Sequence, residues 1–252
     1  MSGMQALFMN YGQTLSTVDS ADFDGTDYMT RGADLTGIAD SKTGIASVWI
    51  RIDGDSGVSN SIIRSTSANP FIFHWSAVDN LIKVGADNAA STEILLLVSA
   101  TAYTTAATWL HILASWNLAT ATAYMYINDV DDLAGSPTLT DDTIDYDSAT
   151  DWGIGATTAG GSLFDGCFAE LYFAPGQFLD FSIVANRRRF ISANGKPVWL
   201  GADGAIPTGT APIVYQRVAD AAAVATFATN LGTGGDFAIT GTLTTGSTSP
   251  SD

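Results

Sequence analysis

Glutamate is scarce in this chain. Glu93 and Glu170 are the only two, against 24 aspartates among the 26 acidic residues. Glu170 stands inside FDGCFAELYFAPG, Phe164 to Gly176, an otherwise apolar and aromatic run. A glycosidase needs two carboxyl groups flanking the scissile bond, and alternate residues of a strand share a face. From Glu170 onward the chain reads ELYFAP, and CFA precedes it, so neither side supplies a second acid. Asp165, five residues earlier, faces the opposite side of a regular strand, and Glu93 belongs to a different strand. Glu170 therefore reads as a structural residue, and the chain as a non-enzyme.

The other groups capable of chemistry lead to similar readings. His74 and His111 lie inside apolar runs (FIFHW, WLHIL), with no nucleophile elbow of the Gly-x-Ser-x-Gly kind in the chain. Cys167 is the single cysteine; it excludes an intrachain disulfide and reads as a small buried hydrophobe. GIGATTAGG (153–161) and NLGTGGDF (230–237) lack the helix and the Gly-Lys-Ser/Thr that a phosphate cradle needs, so both read as turns. A sugar site combines an aromatic face with hydroxyl-binding Asp or Asn. Trp75 with Asp79 and Asn80, or Trp152 with Asp151, offers that combination. DGDSG (53–57) and NDVDD (128–132) carry closely spaced acids of the sort that bind calcium, with Asp129, Asp131 and Asp132 ahead of Asp53 and Asp55. Arg187, Arg188 and Arg189 form the one basic cluster, a candidate contact to aspartates of this chain or of a neighbouring one.

Composition defines the scaffold these residues need. The chain has 252 residues, 46% hydrophobic and 10% aromatic, enough for a full core. Many aspartates, two glutamates and three lysines describe strands joined by polar turns rather than helices. A formal charge of −16 argues against nucleic acid and anionic membranes as partners. No signal peptide is expected from MSGMQALFMNYGQ, and the apolar run ILLLV (94–98) is too short to span a bilayer. Short β-rich runs follow one another: IASVWIRI, SIIRS, FIFHW, LIKVG, EILLLVS, WLHILASW, TAYMYIND, DWGIGA and LFDGCFAELYF. Their spacing predicts an all-β fold, an antiparallel β-sandwich or jelly roll. In the last run, strict alternation puts Leu163, Cys167, Leu171 and Phe173 on one face and Phe164, Phe168 and Tyr172 on the other. Both faces are apolar, so the strand is packed on both sides or its outer face meets another subunit. One helix is expected over about 181–192, capped by Asp180 and ended by the arginines and Asn194-Gly195. Beyond it lie a Pro/Gly-rich extended segment (195–215), a last strand in NLGTGGDFAITGTL and a flexible tail, TTGSTSPSD.

Four segments, in order, resemble the concanavalin A-like lectin/glucanase superfamily, especially its laminin-G-like and pentraxin-like branch. They are ADFDGTDYMTRG (21–32), TGIASVWIRID (43–53), WLHILASWNLATATAYMYINDV (109–130) and IGATTAGGSLFDGCFAELYFAPG (154–176). The resemblance implies a sandwich over residues 1–176, preceded within it by an N-terminal segment (1–20). Residues 177–252 would be a helix, an arm and a last strand, packed on the sandwich or on a neighbouring subunit. It also implies that catalytic members carry an acid pair in a pattern like Glu-x-Asp-x-x-Glu, which this chain lacks. Calcium near NDVDD is an option; no other cofactor is implied. The C-terminal third resembles extensions of tailed-bacteriophage structural proteins. The expectation is then a virion component (capsid decoration, head fibre or tail-associated), in contact with other virion proteins and copies of itself. A glycan-binding adhesin on cell-surface polysaccharide is the alternative.

Overall fold

A computed structural model describes residue 15 and residues 18–55, 57, 59–67, 70–218 and 221–252. The N-terminal segment expected over 1–20 falls largely outside them. Among the described residues, sixteen strands run in chain order. They are β1 (Ala21–Asp24), β2 (Tyr28–Thr30), β3 (Thr43–Ile52), β4 (Ser59–Thr66), β5 (Phe71–Ser76), β6 (Leu81–Asp87), β7 (Glu93–Val98) and β8 (Leu110–Asn117). Then come β9 (Thr122–Ile127), β10 (Val130–Asp131), β11 (Thr138–Leu139), β12 (Asp151–Ile154), β13 (Asp165–Pro175), β14 (Val214–Arg217), β15 (Ala238–Thr240) and β16 (Thr244–Thr245). They pair into two antiparallel sheets, confirming the all-β sandwich. The first runs β10-β9-β8-β3-β13-β1-β16, with β14 also on β13; the second runs β11-β7-β6-β5-β4-β12-β2-β15. The long central strands are rich in β-branched and aromatic residues, which suit a pleated surface with neighbours on both sides. The outermost strands have only two or three residues, which limits edge-to-edge association.

The main core lies between the sheets. Phe71 stacks on Phe173 with ring centroids 4.6 Å apart, and Trp116, Tyr146 and Trp152 surround the pair. A second apolar layer covers the outer face of the first sheet. There Ile45, Leu113, Tyr126, Tyr172 and Ala174 meet Phe181, Phe190, Val198 and Leu200 from the C-terminal third. Trp49 and Ala169 meet Val18 and Ile191 beside them. The doubly apolar central strand is thus explained within one chain: its outer face is roofed by residues 177–215, not left for another subunit.

Three expectations need correction. The helix is a single turn, α1 (Val184–Arg187), with Ile183 as its N-cap. Asp180 closes a tighter turn by accepting from the Ser182 N–H and hydroxyl. Residues 195–252 lie against the sandwich, with β14 paired to β13, β15 to β2 and β16 to β1. The tail is ordered: Ser249 and Pro250 are buried, the Ser20 hydroxyl donates to the Thr248 carbonyl, and the Val18 N–H donates to Ser251 Oγ. Strict alternation along β13 also fails. Phe168 pairs with Ile50 but Leu171 with Val48, so β13 spends three residues where β3 spends two. This bulge puts Phe168, Leu171 and Phe173 together in the main core and leaves Ala169 and Tyr172 outside it.

The roof is latched by charge. Asp129, at the β9–β10 turn, accepts from Arg187 Nε and Arg188 Nη2, each at 2.6 Å. The Arg187 guanidinium also lies 4.3 Å from the Tyr126 ring centre and donates to the Phe181 carbonyl. All three ionic groups are mostly shielded from solvent, so removing one strands the others. Asp129→Ala is expected to lower unfolding free energy by about 2–3 kcal/mol. Limited proteolysis of the variant should cut first within 177–212; cleavage there no faster than in the parent would show that the latch is dispensable.

Candidate functional site

The residues expected to bind glycan are dispersed. Trp75 and Trp152 are 1% and 0% exposed, locked in the main core. Their indole N–H groups donate to the Tyr103 carbonyl and to Asp34 Oδ1. Inward-pointing positions of β5 and β12 place both rings there, so neither face can meet a sugar. Asp79 and Asn80 shape the β5–β6 turn, with Asn80 at φ 60° and Asp79 paired to Lys83. Asp151 accepts from the Gly32 and Trp152 N–H groups.

The acids expected to bind calcium do not converge. Asp129 is held by the two arginines, and Asp132 accepts from the Thr101 N–H and hydroxyl and from the Tyr103 hydroxyl. Asp131 is exposed on β10. Asp53 is gripped by Arg51 through two bonds of 2.6 and 2.7 Å, and Asp55 caps its own turn at Gly57 N–H. Carboxylate groupings among the described residues occur elsewhere: Asp22 and Asp53 with Cys167, and Asp40 with Asp145 and Asp147. Burial pushes the Cys167 thiol up to about 12, so it is no nucleophile at neutral pH. The arginine cluster is engaged inside the chain, with Arg188 Nη1 buried and without a hydrogen-bond partner. Arg187 and Arg188 hold Asp129, an aspartate of this chain, which was one of the two expected alternatives, and Arg189 donates to the Pro207 carbonyl at 2.6 Å.

Glu170 occupies the bulge of β13, on the outer side of the first sheet beneath the roof. It is 3% exposed, accepts from the Tyr215 hydroxyl at 3.1 Å and lies 3.9 Å from Arg217 Nε. Burial raises its pKa to about 7, against the opposing pull of Arg217 and the Tyr215 bond. No second carboxylate contributes to that balance. His111 is fully buried, bonded to Ser47 Oγ at 3.0 Å and packed on Trp49; burial holds its pKa down at about 3. It is a neutral core residue.

Five segments do meet at an open depression of about 300 Å³ on the outer side of the first sheet. Trp49 of β3 and Ile191 of the roof form its floor, and Trp109, just before β8, is a partly exposed wall. Asn128, Lys196 and Asp252 stand at its rim. The Trp109 indole N–H donates to Thr248 Oγ1 at 3.2 Å, which orients the ring. Asn128 is held by the His111 N–H in a turn where it takes φ 51°. An oriented aromatic face bordered by an amide, an ammonium and a carboxylate suits a small polar ligand with an apolar face. The sequence showed Trp109 only as the start of a strand, and Lys196 and Asp252 come from segments expected to be loop and tail. Their convergence depends on the roof, which no local pattern announces.

A family description, Concanavalin A-like lectin/glucanases superfamily, matches residues 23–176. No curated protein matches the chain. Among solved structures, a candidate carbohydrate-binding protein from Bacteroides ovatus is similar at 13% identity and TM-score 0.56. The alignment covers 79% of this chain, which spans about half (51%) of that protein. Domain 4 of an extracellular arabinanase from Geobacillus stearothermophilus, solved with arabinotriose, is similar at 14% identity and TM-score 0.49, over 69% of this chain and 81% of that one. A heptameric pentraxin from Limulus polyphemus gives 12%, 0.47, 67% and 81% in the same terms.

Proposed function

Since the chain belongs to the concanavalin A-like lectin/glucanases superfamily, we propose that it is a non-catalytic glycan-binding sandwich whose sugar site is the Trp109 depression. The observation that carries this reading is the partly exposed, hydrogen-bonded Trp109 ring with Asn128, Lys196 and Asp252 at its rim. A saccharide would lay its C–H face on the indole and direct hydroxyls to the rim groups. The absence of catalysis is supported by Glu170, which is roofed over and has no acid partner. A glycan array with the purified protein tests the proposal. Trp109→Ala is expected to weaken binding about 30-fold, the usual loss for an aromatic anchor. Asp252→Asn should also weaken it; Asp252 Oδ2 accepts from the Ser249 N–H at 2.7 Å, and the amide oxygen of Asn can keep that bond, so the melting temperature should change little. Absence of binding across the array, or binding unaltered in both variants, overturns the reading.

A second reading places the same sandwich on a bacteriophage particle, against other virion proteins and copies of itself. It rests on the resemblance of the C-terminal third. Val130, Ile183 and Val184, apolar side chains 66%, 51% and 48% exposed, favour a protein contact. Mass spectrometry of purified particles from the source tests it, and absence of the chain from them excludes it. No helix among the described residues is long and apolar enough to cross a membrane.

A further inference from the structure

The outer face of the second sheet carries a charge pattern opposite to that of the molecule. Alternation puts Phe73 and Trp75 of β5, Ile82 and Val84 of β6, Ile63 of β4 and Trp152 of β12 in the main core. Ile72 and His74, Lys83 and Gly85, Arg64 and Gly153 therefore point away from it. Register brings the polar ones together: His74 lies opposite Lys83, and Arg64 opposite Ile72, diagonal to His74. One side of this patch is walled by the loop that follows β12. That loop turns back over Gly153, where a Cβ would meet the Ala156 carbonyl at 2.5 Å, and ties down through Thr158 Oγ1 to Thr66 Oγ1 at 2.6 Å.

Arg64 is the unusual member. Its guanidinium is partly buried in a chain with 24 aspartates, yet among the described residues no acid is bonded to it. Burial alone lowers its pKa, with no carboxylate opposing. Lys83 is tied to Asp79 across the β5–β6 turn. His74 has a buried Nδ1 without a hydrogen-bond partner, and burial together with Lys83 and Arg64 holds its pKa at about 4, so the ring is neutral at pH 7. Of the acids on this face, Asp79 is tied to Lys83, Asp151 stands diagonal to Arg64 but already accepts two N–H bonds, and Asp87 and Glu93 lie beyond Gly85 towards the end of β6. A shielded cation without a counter-charge is costly unless something anionic joins it.

We infer that this patch is a second binding site, in which Arg64, His74 and Lys83 receive the carboxylate or sulfate group of an acidic polysaccharide. Arg64 supplies the charge and a planar fork suited to an oxyanion, His74 a neutral ring nitrogen, and Lys83 a second donor. Ile72 offers an apolar side chain beside them, and Leu96 Cδ1 lies 3.7 Å from the Cβ position of Gly85. The overall charge of −16 repels polyanions, so binding to one would have to be local and site-specific.

Calorimetric titration with polygalacturonate and with dextran sulfate, at low and physiological salt, tests the site; uncharged dextran is the reference. The parent protein is expected to bind at least one anionic polymer and not dextran. Arg64→Met should weaken that binding about tenfold or more while raising the melting temperature, because it removes a charge without a partner. Lys42→Gln, the same charge change at an exposed residue paired with Asp141, should leave binding as it was. No binding by the parent at low salt, equal binding of dextran, equal loss in Lys42→Gln, or full binding by Arg64→Met each overturns the assignment. Running every titration in a Trp109→Ala background removes binding through the depression from these readouts, so the two sites stand or fall separately.

Discussion

Gly166→Ala should unfold the protein at temperatures where the parent is stable, with an expected loss on the order of 4 kcal/mol. Gly166 sits at φ 150°, and a Cβ there would lie 2.0 Å from the Arg51 carbonyl oxygen of the neighbouring strand. The obstacle is backbone, in register with β3 on one side (Ile52) and β1 on the other (Phe23), so it cannot swing aside. Separating the strands would break the ladder at the centre of the first sheet. Gly37→Ala isolates the conformational part of the cost: it also has a positive φ, 75°, but nothing lies within 4 Å of its Cβ position. That control should lose only about 1 kcal/mol. Thermal and urea melts of the two variants check the comparison. Equal losses would mean that the close approach to Arg51 is relieved without consequence.

The second large effect concerns Glu170 and pH. Its pKa rises on folding from the ordinary carboxyl range to about 7, so the folded state holds the proton more tightly than the unfolded chain. The stability this gives is complete below the unfolded pKa and is lost as pH climbs through 7. Above that point the ionised group costs about 3 kcal/mol. Glu170→Gln keeps the shape and an acceptor for Tyr215 but cannot ionise. The variant should therefore gain on the parent progressively between about pH 4.5 and 7 and stay ahead above it. His74 and His111 act in the opposite sense. Their lowered pKa values withdraw stability as pH falls below the ordinary histidine range, but they are common to both proteins and cancel in the difference. Paired urea melts across this range decide the matter, and a constant offset between the two proteins would show that Glu170 does not titrate there.

The sandwich was readable because its signals are local. Runs such as IASVWIRI and FIFHW alternate or stay apolar according to whether one or both faces are covered, and turn residues separate them. What escaped was decided between distant segments. Trp75 and Trp152 looked equally fit for a surface or a core, and only inward register on β5 and β12 buries them. NDVDD resembled a calcium loop until Asp129 met two arginines 58 and 59 residues away. The bulge in β13 is one extra residue with no compositional mark, yet it re-aims Glu170 toward Tyr215 and Arg217. The C-terminal third was the least legible, since its prolines and glycines announce irregular backbone without saying what that backbone covers.

The way both sheets finish has a consequence for biosynthesis. β1 and β2, which precede the other described strands of the sandwich, take partners from β16 and β15, which follow them, and the Val18 to Ser251 bond spans 233 residues. Loop closure over such separations is slow, and it cannot begin while the final strands are still inside the ribosome. Until then β1 and β2 each present an unpaired edge, while the outer face of the first sheet waits for its roof. The nascent sandwich is therefore expected to need protection from sticky neighbours until residues 238–251 have emerged, and to acquire protease resistance in one late step rather than strand by strand.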